Sequence, residues 1–233
     1  MKSTYACNVV IDLEFTPVPK SLRGNTDLTQ EIIEVGAVKI APDGSVVGTF
    51  SHMVRPVLAH GVSGKVRNIT GIVNNDIACA RSLPEVLESM AAWIGPGRAR
   101  MVTWSEWDKK QITTECAAKG IECALPARWM DIQRLYSYFM DLGHKRVGLG
   151  DAADWLGIDN SKELAHRALY DAQMTAEIFR MMAAGDLAEH RARVRREIGH
   201  GSRVETCSAS IASRCAGLAE LMAALAREEG NAA

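Results

Sequence analysis

Short apolar runs dominate the start of the chain, and apolar residues at helical spacing dominate the remainder. The run Asn8-Val9-Val10-Ile11-Asp12-Leu13-Glu14-Phe15 is bounded by Thr16-Pro17-Val18-Pro19, which predicts a buried strand over residues 6–15. A polar loop through Arg23-Gly24-Asn25 leads to a second strand, Glu31 to Ile40. Pro42-Asp43-Gly44-Ser45 then reads as a turn, because proline presets φ and glycine permits a tight reversal. Residues 46–55 return as a third strand, completing an antiparallel meander.

From Leu83 to Ile94 the apolar positions Val86, Leu87, Met90, Trp93 and Ile94 fall on one helical face. Pro84 suits the first turn, and Gly95-Pro96-Gly97 stops the helix. Arg100 to Trp104 reads as a fourth strand, followed by a helix from about Asp108 to Lys119. A short fifth strand is expected within Arg128 to Gln133, with helices over Arg134–Leu142 and Leu149–Leu156. Leu169, Ala172, Ala176, Phe179 and Met182 form the stripe of an amphipathic helix ending near Ala184. Three strands, then strands alternating with helices, predict an α/β architecture with a mixed sheet.

A change of character near Ala184-Gly185-Asp186 divides the chain into a main domain, 1–184, and an extension, 185–233. The extension opens on a basic stretch, His190 to Arg196. It continues as a helix-like tail in which Ile211, Cys215, Leu218, Met222 and Leu225 recur every three or four residues. That tail could pack back on the domain or against a second copy in a homodimer. The basic stretch could guide a substrate, although charge runs are more often a solvated helix face.

Composition narrows the class without naming it. With 47% hydrophobic and 24% charged residues, the 233-residue chain is expected to bury a globular core. A formal net charge of -1 argues against bulk electrostatic binding to long duplexes but leaves room for a local nucleic-acid groove. The six cysteines are scattered, without zinc-ligand pairs, and read as reduced thiols. No apolar run approaches the roughly 20 residues needed to cross a bilayer, and no signal peptide precedes the first strand. A cytoplasmic protein is expected.

The chemistry lies in four carboxylates and one imidazole. On a strand, residues i and i+2 share a face, so Asp12 and Glu14 present two carboxylates side by side. Hard cations such as Mg²⁺ and Mn²⁺ take oxygen ligands of this kind. Asp108 sits where the fourth strand meets its helix, with Glu106 as a neighbouring candidate. His166 precedes Asp171 by five residues, a spacing that on a continuous helix would turn the two side chains roughly 140° apart. They can share a site only if His166 lies on the loop entering the helix. Taken singly, each residue is better explained as a strand end, a helix cap or a surface charge. Their combination is what carries weight.

Asp12-Leu13-Glu14, Trp107-Asp108 and His166-x4-Asp171 resemble the three motifs of the DEDDh 3′→5′ exonucleases, the superfamily of RNase T and bacterial proofreading subunits. Gln30 to Val38, Ile69-Thr70-Gly71-Ile72 and Asp171-Ala172-x2-Thr175-Ala176 resemble further stretches of that family. The resemblance spans about residues 5–184. The Glu31-Ile32-Ile33-Glu34 strand and the Trp-Asp form of the middle motif look like the branch of the histone-mRNA 3′ exonuclease. Two departures stand out: Phe15 replaces a threonine usual in proofreading subunits, and Trp104-Ser105-Glu106 replaces small residues.

The resemblance implies an RNase H-like mixed five-stranded sheet flanked by helices. It also implies two Mg²⁺ or Mn²⁺ ions held by Asp12, Glu14, Asp108 and Asp171, with His166 as general base. The expected reaction is hydrolysis of single-stranded RNA or DNA from its 3′ end to nucleoside 5′-monophosphates, with RNA favoured. Leu13, Phe15, Thr16 and Ile72 are expected to contact the terminal nucleotides. The rival readings are a DNA proofreading or repair exonuclease and a catalytically silent nucleic-acid-binding module on the same fold.

Overall fold

Five strands form one mixed sheet in the order β3-β2-β1-β4-β5. They are β1 (Cys7–Pro17), β2 (Gln30–Ile40), β3 (Val46–Met53), β4 (Ala99–Thr103) and β5 (Trp129–Asp131). The first three run antiparallel as a meander; β4 pairs parallel with β1, and β5 parallel with β4. In this computed structural model residues 5–24, 26, 28–161, 164–187, 190, 191 and 194 are described. The expected tail through Ile211 and Leu225, and most of the basic stretch, lie outside the described residues.

The strands and the helices α3 (Leu83–Ile94), α4 (Glu106–Lys119), α5 (Ile132–Phe139), α6 (Leu149–Leu156) and α7 (Ala168–Ala184) fall within a few residues of their sequence-based positions. Two short helices carry no such signal: α1 (Gly64–Thr70) and α2 (Asn74–Ala78). Each is about two turns or less and lacks room for a recognisable 3.6-residue stripe. Strand β1 also runs on through Thr16 and Pro17, where the sequence predicts its end. Pro17 closes the pairing opposite Gln30 at the strand's end, where a missing N–H costs little.

Strand β1 lies between the two halves of the core, and its parity sorts the chain. Val10 faces one cluster, built with Val102, Trp104, Tyr136 and the α7 residues Ala172, Ala176 and Phe179. Val9, Ile11 and Leu13 face the other, with Val86, Leu87, Met90 and Ile112 from α3 and α4. Asp12 and Glu14 therefore continue the Val10 side, toward α7. Next comes a bulge: Glu14 pairs with Glu34 but Phe15 with Ile32, leaving Ile33 as the extra residue on β2. Such bulges re-aim strands beside functional sites. The first cluster also takes in Leu187 and Val194, both buried, so packing against the domain continues past residue 184.

Helix α7 starts hard against the sheet. A Cβ built on Gly36 would lie 2.1 Å from the Ala168 carbonyl carbon and the Leu169 nitrogen, so only glycine lets the helix approach this closely. Gly36 pairs directly with Asp12. Gly36→Ala is therefore expected to cost about 3 kcal/mol, at the upper end for overpacking because backbone rather than a flexible side-chain end must move. Urea unfolding measures it, and a midpoint equal to that of the parent protein would contradict this packing.

Candidate active site

The residues singled out by sequence gather where the end of β1 meets the start of α7, three of them by distance and two through their charge. Ligand-capable atoms of Glu14, His166 and Asp171 lie within 4.8 Å of one another. Asp12 and Asp108 join them electrostatically, since Asp108, Asp171 and Glu14 all act on the Asp12 carboxyl. The choice between Asp108 and Glu106 is decided by burial: Asp108 is 6% exposed, whereas Glu106 faces solvent. Ser105 caps α4 and accepts from the Trp107 amide, which leaves Asp108 in the first turn pointing inward. There its carboxylate accepts the Leu13 N–H. That amide lies beyond Val10–Val102, the last pair between β1 and β4.

His166 occupies the loop position that its spacing from Asp171 demands. Its φ of 62° is left-handed, one of two such non-glycine residues among those described. This conformation breaks the helical progression before Arg167, the residue preceding α7, and leaves the imidazole exposed beside Glu14 and Asp171. The Asp171 carboxylate accepts the His166 backbone N–H. Its Oδ1 is buried without any hydrogen-bond partner.

Crowding shifts every carboxyl in the same direction. Burial chiefly, then the neighbouring Asp171 and Glu34, push Glu14 up to about 8. Burial lifts Asp108 to about 7 against the pull of two backbone N–H groups. Asp171 is raised to about 6, mainly by burial and despite the opposing influence of His166. Asp12, held among all of them, is raised well above the usual carboxylate range. Four crowded carboxyl groups and an orphaned carboxylate oxygen fit hard divalent cations, which would take the place of the retained protons and satisfy Asp171.

The expected nucleotide-contacting positions divide by burial. Leu13, Thr16 and Ile72 are buried, whereas Phe15 keeps a partly exposed side chain. Leu13 turns to the opposite core because of its parity on β1. Thr16 donates its hydroxyl to the Gly61 carbonyl at 2.9 Å and accepts the Ser63 N–H at 3.3 Å, bracing the loop before α1.

Sequence reasoning assigns no role to two buried glutamates of β2. Glu34 accepts from Arg167 Nε and Nη2 and from the Ala168 N–H. Glu31 accepts the amides of Val57, Leu58 and Ala59 and pairs with Lys119 of α4. The available signal was two glutamates inside an otherwise apolar strand, since a buried charge requires a partner.

These shifts fix the sign of a pH dependence. Glu14, Asp108 and Asp171 hold their protons more tightly folded than unfolded, so without metal they oppose folding as pH rises. Their burden is absent below the ordinary carboxylate values and complete above about pH 8. Melting in EDTA should therefore move to lower temperature between about pH 6 and pH 8, and millimolar Mg²⁺ should raise Tm more at the higher pH. An Mg²⁺ response that is nil, or that shrinks as pH rises, would contradict a shared carboxylate cluster.

Comparisons with known proteins agree with this fold. The solved nuclease domain of 3′hExo, described as a DEDDh family member bound to rAMP, aligns with a TM-score of 0.67 at 25% identity. It covers 79% of this chain and 96% of that one. Exonuclease I aligns with a TM-score of 0.61 over 77% of this chain, at 12% identity a likeness of fold alone. The fold is thus the RNase H-like exonuclease fold. In sequence, ERI1 exoribonuclease 2 of Danio rerio is 28% identical over 208 residues, and a PolC-type DNA polymerase III of Thermotoga petrophila is 27% identical over 192. The matches cover 79% and 73% of this chain but only 36% and 11% of those longer proteins. The profile of the RNase T-type Exonuclease family matches residues 9–179, most of the chain and a span that includes the five candidate positions, and the chain belongs to that family.

Proposed function

We propose that this protein is a metal-dependent 3′→5′ exonuclease that trims single-stranded nucleic acid, RNA in preference, to nucleoside 5′-monophosphates. The observation that carries this reading is the approach of Glu14, His166 and Asp171 to within 4.8 Å, with Asp12 and Asp108 coupled to them by charge. Bound by Asp12, Glu14, Asp108 and Asp171, two Mg²⁺ or Mn²⁺ ions would supply Lewis acidity and neutralise charge on the scissile phosphate. His166 takes the proton from the water that attacks phosphorus, and the bond to the leaving 3′ oxygen breaks. Its exposure suits that role, since the imidazole meets water directly while Asp171 anchors its backbone.

The walls of the cleft accord with a polymer end. Phe15 would meet a terminal nucleotide with its partly exposed ring. Leu13, Thr16 and Ile72 would shape the floor from beneath, Thr16 by holding Gly61 and Ser63. Trp107, 64% exposed beside Asp108, offers a further surface for base stacking, with the Lys110 ammonium 4.8 Å from its ring centroid. The preference for RNA is favoured by the likeness to an exoribonuclease and to a nuclease domain bound to rAMP. A DNA proofreading or repair role is the second reading, favoured by the PolC-type relatives.

Digestion of 3′-labelled single-stranded RNA and DNA side by side, with and without Mn²⁺, separates these readings. Metal-dependent release of 5′-monophosphates, faster from RNA, is expected. Faster release from DNA would move the assignment to the second reading, and no release from either would indicate a silent binding module. For the base, His166→Asn is the cleaner substitution, because asparagine tolerates the left-handed backbone that alanine would strain. It should lower kcat about 100-fold or more with Mn²⁺ affinity nearly unchanged. Unaltered turnover would remove His166 from that role.

A further inference from the structure

A left-handed histidine persists only when its surroundings over-determine it, and here the fixing comes from both sides. On one side Asp171 accepts the His166 N–H. On the other, Glu34 grips the next two residues: Arg167 through Nε at 3.2 Å and Nη2 at 2.8 Å, and the Ala168 N–H at 3.1 Å. Glu34 is 1% exposed and pairs directly with Glu14 across the sheet, so the grip is referenced to the strand that carries the acidic pair. Two residues along β2, Gly36 lets the α7 backbone lie against the strand and fixes the height of the same turn.

We propose that Glu34 and Arg167 are positioning residues for His166. Their fork clamps the turn His166-Arg167-Ala168 so that the imidazole stays beside Glu14 and Asp171. Arg167 is suited to this by chemistry as well as place. Its planar guanidinium delivers two parallel donors to one carboxylate and restricts rotation about the clamp, which a lysine ammonium cannot do. The proposal rests on His166 acting as the base; without that role the clamp would have nothing catalytic to position.

Activity should report the clamp as a change in turnover rather than in substrate affinity. Arg167→Ala is expected to lower kcat by about 10–100-fold, the usual range for groups that orient a catalytic one, with KM within about twofold. Arg167→Lys should recover only part of the loss, since it keeps the charge and loses the fork. The decisive measurement is the double variant. If Arg167 works through His166, then adding Arg167→Ala to His166→Asn should cost nothing further. Multiplying losses, or a rise in KM without a fall in kcat, would overturn the proposal and make Arg167 a direct substrate contact.

Glu34→Gln removes the same clamp from the buried side and should match Arg167→Ala. Should it fail to fold, the half-exposed Arg167 variants decide the question alone. The failures remain distinguishable. An unaffected His166→Asn variant sinks the general base, whereas a slow His166→Asn variant beside a fully active Arg167→Ala variant sinks only the clamp.

Discussion

The contact between Glu34 and the start of α7 joins parts of the chain 133 residues apart and holds them together beside the acidic pair of β1. Strand β1 supplies Asp12 and Glu14 from a rigid central position. It cannot supply the histidine or the last aspartate, which arrive on the loop entering α7 and on that helix's first turn. Gly36 removes the side chain that would hold that helix away, and Glu34 accepts from three donors where the chain enters it. A helix N-terminus leaves backbone donors unsatisfied and favours a nearby anion. One buried carboxylate therefore meets the needs of the helix end and of Arg167 together, which is why it can sit fully buried in an otherwise apolar strand.

That arrangement works against the carboxylates it gathers. Glu34 adds negative charge beside Glu14 and Asp171 and contributes to the upward shift of both. Arg167 offsets part of it, lowering Glu14 slightly, but is itself engaged by Glu34. The protein thus assembles more acid than it can ionise alone near neutral pH. Local stability is given up at the site and recovered in the two apolar clusters on either side of the sheet.

Most of the architecture was legible because its elements obey simple periods. Alternation along β1 and the stripes of α3 and α7 specify burial, and burial dictates the layers. The candidate residues could be named from the sequence, but their geometry could not. The five-residue step from His166 to Asp171 required a break in the helix, yet nothing in the sequence says that the break is a left-handed turn. Helices α1 and α2 escaped for lack of length. The buried glutamates escaped differently: Glu31 and Glu34 stood in plain view in β2, but their partners are Lys119 and the Val57–Ala59 amides in one case and Arg167 in the other. Such partners are set by topology rather than by neighbourhood in sequence. Parity explains why Leu13 differs from its neighbours, since a residue between two inward-facing acids must face the other core.

Charge then links the two things the proposed reaction needs. A phosphodiester chain is an anion approaching a cluster of four carboxylates on a protein whose formal net charge is -1. Coulomb repulsion in a partly desolvated cleft grows as the dielectric falls, so the acids that make the site chemically useful also oppose its substrate. Protons relieve the repulsion only by giving up the ligand set. Divalent cations relieve it while keeping the carboxylates ionised, which makes metal and polymer mutually supportive ligands of one site. Arg167 cannot serve as an equivalent source of positive charge because Glu34 already claims its fork. In the proposed arrangement Arg167 orients the histidine's turn, and divalent ions would offset the substrate's charge at the carboxylates.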